Sequence, residues 1–309
     1  MLFNYFSMTD SFMKSEHSKS IGVVGGSRGM GKWLVDFLSD RGHKVSFTSN
    51  DESSQYSSNI ELVAACDVLI LAVPISAMEG VLAEIYPLLN DKLLIDVCSV
   101  KSGIVAAHQK ISREQRSISS QYISIHPMFA PSVKNVEGQV VIFNYAANVE
   151  TETELYWKNL FSAQGALVQD ISYDEHDRLM GVIQGLNHFN VFVSAKTLAH
   201  MGANLDFIKS LSSPTYRIFL LFYTRYVLQN PRLYAEIQIF NPFVKEVTQL
   251  FMKEAEILLS LVEKRDFEGF ENYVKEIQPF FSDNKEDSVL SDKLIDALGH
   301  LLADTPANK

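Results

Sequence analysis

Between Ile21 and Ile171, short apolar runs alternate with stretches whose apolar residues recur at helical spacing. That alternation limits the possible folds more than any other feature. Residues 68–73 are apolar throughout and close at Pro74, as expected of a strand buried on both faces. Residues 21–24, 44–48, 93–97, 122–125, 139–143 and 167–171 read as further strands. Between them, Trp33, Leu34, Phe37 and Leu38 mark a helix stopped by Gly42. Further helices are expected over 62–65, 77–89, 104–109 and 152–164. Strand–helix alternation predicts an α/β fold, a doubly wound parallel sheet with helices on both faces. Ligands in such folds lie beyond the carboxyl ends of the strands.

After Tyr173 the strand pattern stops and the chain reads as all-helical. Residues 174–201 suit one long helix, Pro214 marks a break, and 215–229 suit the next helix. Val244, Val247, Phe251, Leu258 and Val262 form another helical stripe. A final helix pair is expected near 267–281 and 290–302, with 282–288 (SDNKEDS) as a polar loop. The organisation expected is a flexible lead-in over 1–19, a dinucleotide-binding domain over 20–172 and a helical domain over 173–309.

Charge and cysteine content exclude several classes. A net charge of -10 argues against a broad electrostatic grip on nucleic acid. A 47% hydrophobic content argues against disorder. No apolar run approaches the ~20 residues that cross a bilayer, so no membrane association is expected. Cys66 and Cys98 form no CxxC and no metal-ligand spacing, so neither a disulfide framework nor a metal site is expected. This fits a reducing, cytoplasmic setting. The first twenty residues lack the basic start and apolar core of a signal peptide.

The string VVGGSRGMGK joins the first strand to the first helix. Glycines there let the backbone turn tightly and approach a pyrophosphate, and the helix start offers free N–H groups. Gly25, Gly26, Ser27, Arg28, Gly29, Met30 and Gly31 are therefore cofactor-binding candidates. The strict GxGxxG fails because Arg28 occupies its second glycine position. An acid at the second strand's tip would favour NAD. That tip carries Thr48 or Ser49, with Asp51 arriving late, and Arg28 is available for a 2′-phosphate. NAD and NADP both stay open.

Two more motifs fall at strand ends. In LLIDVCSVK, Asp96, Ser99 and Lys101 are polar groups where the sheet opens. Ser99 reads either as a helix cap or as a group near the nicotinamide and substrate. In ISIHPMFAP, His126 follows a strand at the same edge as the glycine loop, and a neutral imidazole there suits proton transfer.

The helical half opens with YDEHDRLMGVIQGLNHF, in which His176 and His188 read as polar surface or capping residues. In SSPTYRIFLLFYTRYVLQNPRLYAEI, Arg217 and Arg225 lie near one helix face, with Gln229 one turn on. Arginines among so many aromatics need anionic partners. One is expected to pair with an internal acid and the other to grip a ligand carboxylate.

In family order, VVGGSRGMG, AVPI, DVCSVK, HPMFAP, EHDRLMGVIQGLNHF and SSPTYRIFLLFYTRYVLQNPRLYAEI resemble the prephenate dehydrogenases, over roughly residues 20–240. The resemblance implies a Rossmann-type domain followed by a helical dimerisation domain, hence a homodimer. It implies oxidative decarboxylation of prephenate to 4-hydroxyphenylpyruvate, with hydride passing to NAD or NADP, in tyrosine biosynthesis. It assigns His126 to the ring hydroxyl, assisted by Ser99, and Arg225 to a substrate carboxylate. It also places Gln229, His188, Arg217 and Ser213 on the substrate side. Ser49, Val73, Pro74 and Asp96 join the glycine loop on the cofactor side. Ala130 departs from the family's HPMFGP, and Gly185 stands where many members carry histidine. Arogenate and 4-amino-4-deoxyprephenate are the related substrates, and no fused mutase-like segment is expected before residue 20. A non-catalytic nucleotide-binding regulator on the same scaffold is the other class. Short-chain dehydrogenases need a YxxxK, which this chain lacks.

Overall fold

The computed structural model describes residues 18–202 and 204–304; most of the expected flexible lead-in lies outside them. The chain divides into two units. One runs to Met180 and takes in Ile239–Pro242, and the other comprises Gly181–Gln238 and the chain from Phe243.

In the first unit the order is β1 (Ser20–Val24), α1 (Gly29–Ser39), β2 (Lys44–Thr48), α2 (Asn59–Ala65), β3 (Val68–Leu71) and α3 (Ile75–Ile85). Then follow β4 (Leu93–Asp96), α4 (Lys101–Glu114), β5 (Gln121–Pro127), β6 (Val140–Ala147), α5 (Thr151–Ser162), β7 (Leu167–Asp170) and α6 (Tyr173–Met180). Among the described residues these strands form one seven-stranded sheet in the order β2-β1-β3-β4-β5-β6-β7. Every neighbouring pair is parallel except β5–β6, which is antiparallel with a register shift at Ser124/Ile125. An all-parallel sheet was expected. The connection after HPMFAP contains no helix, and a parallel return needs a crossover, usually helical.

Side-chain alternation along the strands divides the core into two layers. Ile21, Val23, Val68, Ile70 and Ile95 meet Leu34, Phe37 and Leu38 of α1 and Tyr156, Trp157 and Phe161 of α5. Val24, Leu69, Leu71 and Leu94 face the other way, onto Leu62 of α2, Met78 and Leu82 of α3, and Ile104 and Val105 of α4. Asp96 ends β4 in register with Leu71 and Ser124, so β4 delivers a carboxylate to the carboxyl edge of the sheet.

The second unit is helical: α7 (Asn187–His200), α8 (Leu205–Leu211), α9 (Pro214–Val227), α10 (Pro231–Phe240), α11 (Val244–Lys264), α12 (Phe267–Phe281) and α13 (Lys285–Asp304). The long helix expected after Asp174 exists with an interruption, because Gly181–Leu186 is π-helical between α6 and α7. Helices α8 and α10 were not foreseen. The expected polar loop at 282–288 is shorter, since α13 already begins at Lys285. Much apolar surface of this unit stays exposed in the single chain, including Phe219, Leu221 and Phe222 of α9.

Candidate active site

The glycine loop is shaped by sterics. Gly25 has φ +89, and a Cβ there would lie 2.6 Å from the Ala72 carbonyl oxygen. A Cβ on Gly31 would lie 2.0 Å from the Gly25 oxygen, so α1 approaches the loop as only glycine allows. Both Gly25 and Gly26 donate their amides to the Thr48 carbonyl, at 2.9 and 3.0 Å, tying the loop to the end of β2. Arg28 occupies the N-cap position of α1 without a side-chain cap, and the first turn carries no acid. The helix start thus keeps its positive end for an anion. Exposed Gly29 has nothing within 4 Å of an added Cβ, while Met30 packs against the first core layer. Val73 and Pro74 lead from β3 into α3, with Pro74 at its N-cap. These features fit a dinucleotide pyrophosphate.

At the tip of β2 the structure corrects the sequence reading. Asp51 arrives late in sequence, yet its carboxylate accepts from Ser27 Oγ of the glycine loop at 2.7 Å and from Ser49 Oγ at 2.9 Å. The Ser53 hydroxyl also donates to it, and the Ser53 amide does so at 3.1 Å. These donors, Ser53 first, hold the Asp51 carboxyl well below the usual carboxylate range. An acid therefore does stand beside the loop.

Asp96 and Lys101 are not open polar groups at the sheet edge. Both side chains are 0% exposed and paired at 2.7 Å. Asp96 also accepts from Tyr122 Oη at 2.6 Å and from the Cys98 amide at 2.9 Å. Lys101 Nζ donates to the Ile125 carbonyl at 2.6 Å. A buried ion pair persists only with its remaining valences satisfied, and here that turns Asp96 inward, away from the role of cofactor ligand. Together the pair anchors the backbone just before His126. Ser99 is half-buried and makes no side-chain hydrogen bond among the described residues. It is not the helix cap either, since Val100 holds that position without a side-chain bond.

The cap of α4 comes from elsewhere in the chain. Asp177 accepts from the Lys101 and Ser102 amides, each at 2.8 Å, and from the Ser102 hydroxyl. These bonds outweigh its burial and hold the Asp177 carboxyl low. His176 Nδ1 lies 2.8 Å from Asp177 Oδ1, and His176 Nε2 lies 2.8 Å from Nδ1 of His126. His176 and Asp177 are 0% exposed and His126 is 3% exposed, so the surface reading of His176 fails. Burial pushes His126 well below the ordinary histidine value, helped by His176 and Lys101. His126 belongs to β5 itself, one residue before the strand ends. The loop after it docks on α1: Phe129 packs edge-on against Trp33 at 4.8 Å, and Trp33 Nε1 donates to the Val133 carbonyl at 2.9 Å. Sequence reasoning gave Asp177 no role, set Asp51 aside as arriving late and took His176 for a polar surface or capping residue; the only local signal was their polar character within otherwise patterned segments.

In the helical unit, His188 packs its ring against Tyr226 and Tyr234, at 5.2 and 4.8 Å. Burial lowers its pKa to about 4. Gln229 accepts from Tyr234 Oη at 2.6 Å. Ser213 caps α9, accepting from the Tyr216 amide at 3.3 Å. Arg225 is exposed, and half-buried Arg217 has an Nε shielded from solvent without a hydrogen-bond partner among the described residues. Neither pairs with a carboxylate among those residues, so the expected internal partner is absent. Arginine can lay its stem on apolar surface and keep its head near water.

Residues 42–168 match the family model described as "Prephenate dehydrogenase, nucleotide-binding domain", and residues 172–276 match "Prephenate dehydrogenase, dimerization domain". A "Probable arogenate/prephenate dehydrogenase" of Methanocaldococcus jannaschii is 32% identical over 295 residues, 90% of this chain and 65% of that protein. The "T-protein" of Enterobacter agglomerans is 29% identical, over 85% of this chain and 67% of that protein. The chain thus spans about two thirds of the length of the curated relatives it matches. Among solved structures, prephenate dehydrogenase from A. aeolicus in complex with hydroxyphenyl propionate and NAD+ aligns with a TM-score of 0.68 at 20% identity, covering 86% of this chain and 98% of that one. Synechocystis arogenate dehydrogenase aligns at 0.61 and 18% identity, covering 86% and 99%. With both domain models matched in order along most of its length, the chain belongs to the prephenate dehydrogenase family.

Proposed function

We propose that this protein is a nicotinamide-dependent dehydrogenase that oxidatively decarboxylates prephenate to 4-hydroxyphenylpyruvate in tyrosine biosynthesis, working as a homodimer. The observation that carries this reading is His126, buried at the end of β5, with its following loop seated on the glycine-loop helix. The exposed apolar face of α9, on a domain matched as a dimerization domain, supports the dimer. The carboxylate of Asp51 beside Ser27 supports NAD+ over NADP+, because an acid there bonds ribose hydroxyls and repels a 2′-phosphate.

The glycine loop and the α1 start would hold the pyrophosphate, and Asp51 would read the adenosine ribose. A bound oxidised nicotinamide would supply the acceptor for the hydride that leaves the substrate's carbinol carbon. His126 takes the hydroxyl proton through Nε2, since Nδ1 is committed to His176. Ser99 assists beside that hydroxyl. Arg225, with Gln229, holds a substrate carboxylate; Arg217, Ser213 and His188 are assigned to the substrate side. Loss of carbon dioxide aromatises the ring, and the His126 imidazolium returns its proton to the phenolate oxygen. The residues chiefly position and orient the substrate.

The test is steady-state kinetics with prephenate and with arogenate, each against NAD+ and NADP+. Turnover is expected with prephenate and NAD+, and His126→Asn should lower kcat roughly a hundredfold or more. Preference for arogenate would reassign the substrate. Absence of turnover in all four pairs would leave the non-catalytic nucleotide-binding reading.

A further inference from the structure

We propose that His176 and Asp177 are positioning residues that fix the tautomer of His126, so that its Nε2 presents a lone pair and acts as a base. This rests on the reading of His126 as the proton acceptor. The assignment follows from which groups can donate. An ionised carboxylate only accepts. His176 Nδ1, 2.8 Å from Asp177 Oδ1, must therefore carry a hydrogen. A neutral His176 then has a bare Nε2. That nitrogen lies 2.8 Å from Nδ1 of His126, so His126 Nδ1 carries the hydrogen and Nε2 does not. The opposite tautomer would set two lone pairs against each other in a buried contact, which is costly.

The chain of bonds starts from a rigid element. Asp177 receives the first two amides of α4, from Lys101 and Ser102, and the positive end of that helix favours its ionised form. The Asn241 side-chain amide donates to the Asp177 backbone carbonyl at 2.9 Å and steadies the segment. Among the described residues, the charged and titratable groups facing His126 include His176 from α6, Lys101 from α4 and, bonded to Lys101, Asp96 from β4. Lys101 and burial both oppose a protonated ground state at His126, which keeps it ready to accept. As Nε2 gains a proton, Nδ1–H donates to an imidazole that is itself backed by a carboxylate, the logic of an aspartate–histidine pair with one ring added.

The test reads the tautomer directly and needs no turnover. Imidazole nitrogen shifts of 15N-histidine-labelled full-length protein, assigned with His126→Asn and His176→Gln, should show both histidines as Nδ1–H at neutral pH. In Asp177→Asn the amide can donate to His176, so His126 should move toward Nε2–H. With prephenate and NAD+, that variant should lose roughly ten- to a hundredfold in kcat, keep its KM for NAD+, and shift the acid limb of its pH profile. A merely structural role would lower folded yield without moving that limb. An Nε2–H signature for His126 in the wild type would overturn the proposal. So would an Asp177→Asn variant with unchanged tautomers and pH profile. Should Asp177→Asn not fold, the wild-type spectrum and the His176→Gln pH profile decide. Wild-type protein that shows the tautomers but turns nothing over would sink the enzymatic reading alone.

Discussion

Asp51 shows how a single carboxylate changes a specificity argument. Its position in the sequence gives no hint that it folds back onto Ser27 and Ser49, because the turn that returns it is built by serine side chains rather than by the strand. Those donors hold it ionised, and under the proposed function it would discriminate by charge. Asp51→Asn keeps the size and removes the charge. The ratio of kcat/KM for NAD+ to that for NADP+ should fall about ten- to a hundredfold, the scale of losing hydrogen bonds to a charged group. An unchanged ratio, measured side by side, would return the choice to Arg28. His176 makes the same point: it reads as a polar surface or capping residue, yet it and the neighbouring Asp177 are fully buried.

At the scale of elements, the glycine loop was legible because its constraint is local. Strand, tight turn and helix start follow one another without a gap, and the glycines fall where side chains collide with backbone. Gly31→Ala tests this contact. Its Cβ would lie 2.0 Å from a carbonyl oxygen that belongs to the loop itself, so α1 must shift. Denaturant unfolding should report a loss of about 1–3 kcal/mol or more, typical of overpacking, together with weakened NAD+ binding by titration. A variant with full stability and affinity would show that the loop yields. The antiparallel β6 and the π-helical turn at Gly181–Leu186 were not legible. Both depend on what the segment packs against, and an apolar run reads alike in either direction.

For the whole molecule, buried histidines set a common acid limit. His108 stacks on Tyr122 at 4.1 Å with neither ring nitrogen hydrogen-bonded among the described residues, and burial lowers its pKa to about 4. His188, in the helical unit, is lowered likewise to about 4. Both fall below the unfolded value near 6.5, so the unfolded chain binds more protons between those limits. Stability is complete above pH 6.5 and drains as pH falls toward 4, by up to about 3 kcal/mol for each histidine. Denaturant midpoints between pH 7 and 4.5 should fall accordingly, and His108→Phe should remove that residue's own share of the slope, leaving the shares of His126 and His176 in the same unit. An identical slope in that variant would assign the acid limit to other groups.

The sequence by itself determined the alternation of strands and helices, the change to an all-helical second half, the glycine loop and the strand-end setting of His126. Each follows from hydrophobic period or from backbone sterics over a few residues, and those forces act wherever the chain goes. Only the tertiary structure decided which polar groups turn inward. Asp96 and Lys101 close on each other, Asp51 returns to the glycine loop, and Asp177 caps a helix that starts 76 residues earlier in the chain. Burial makes a charged group seek a partner, but which partner lies within reach is set by how the sheet and its helices pack.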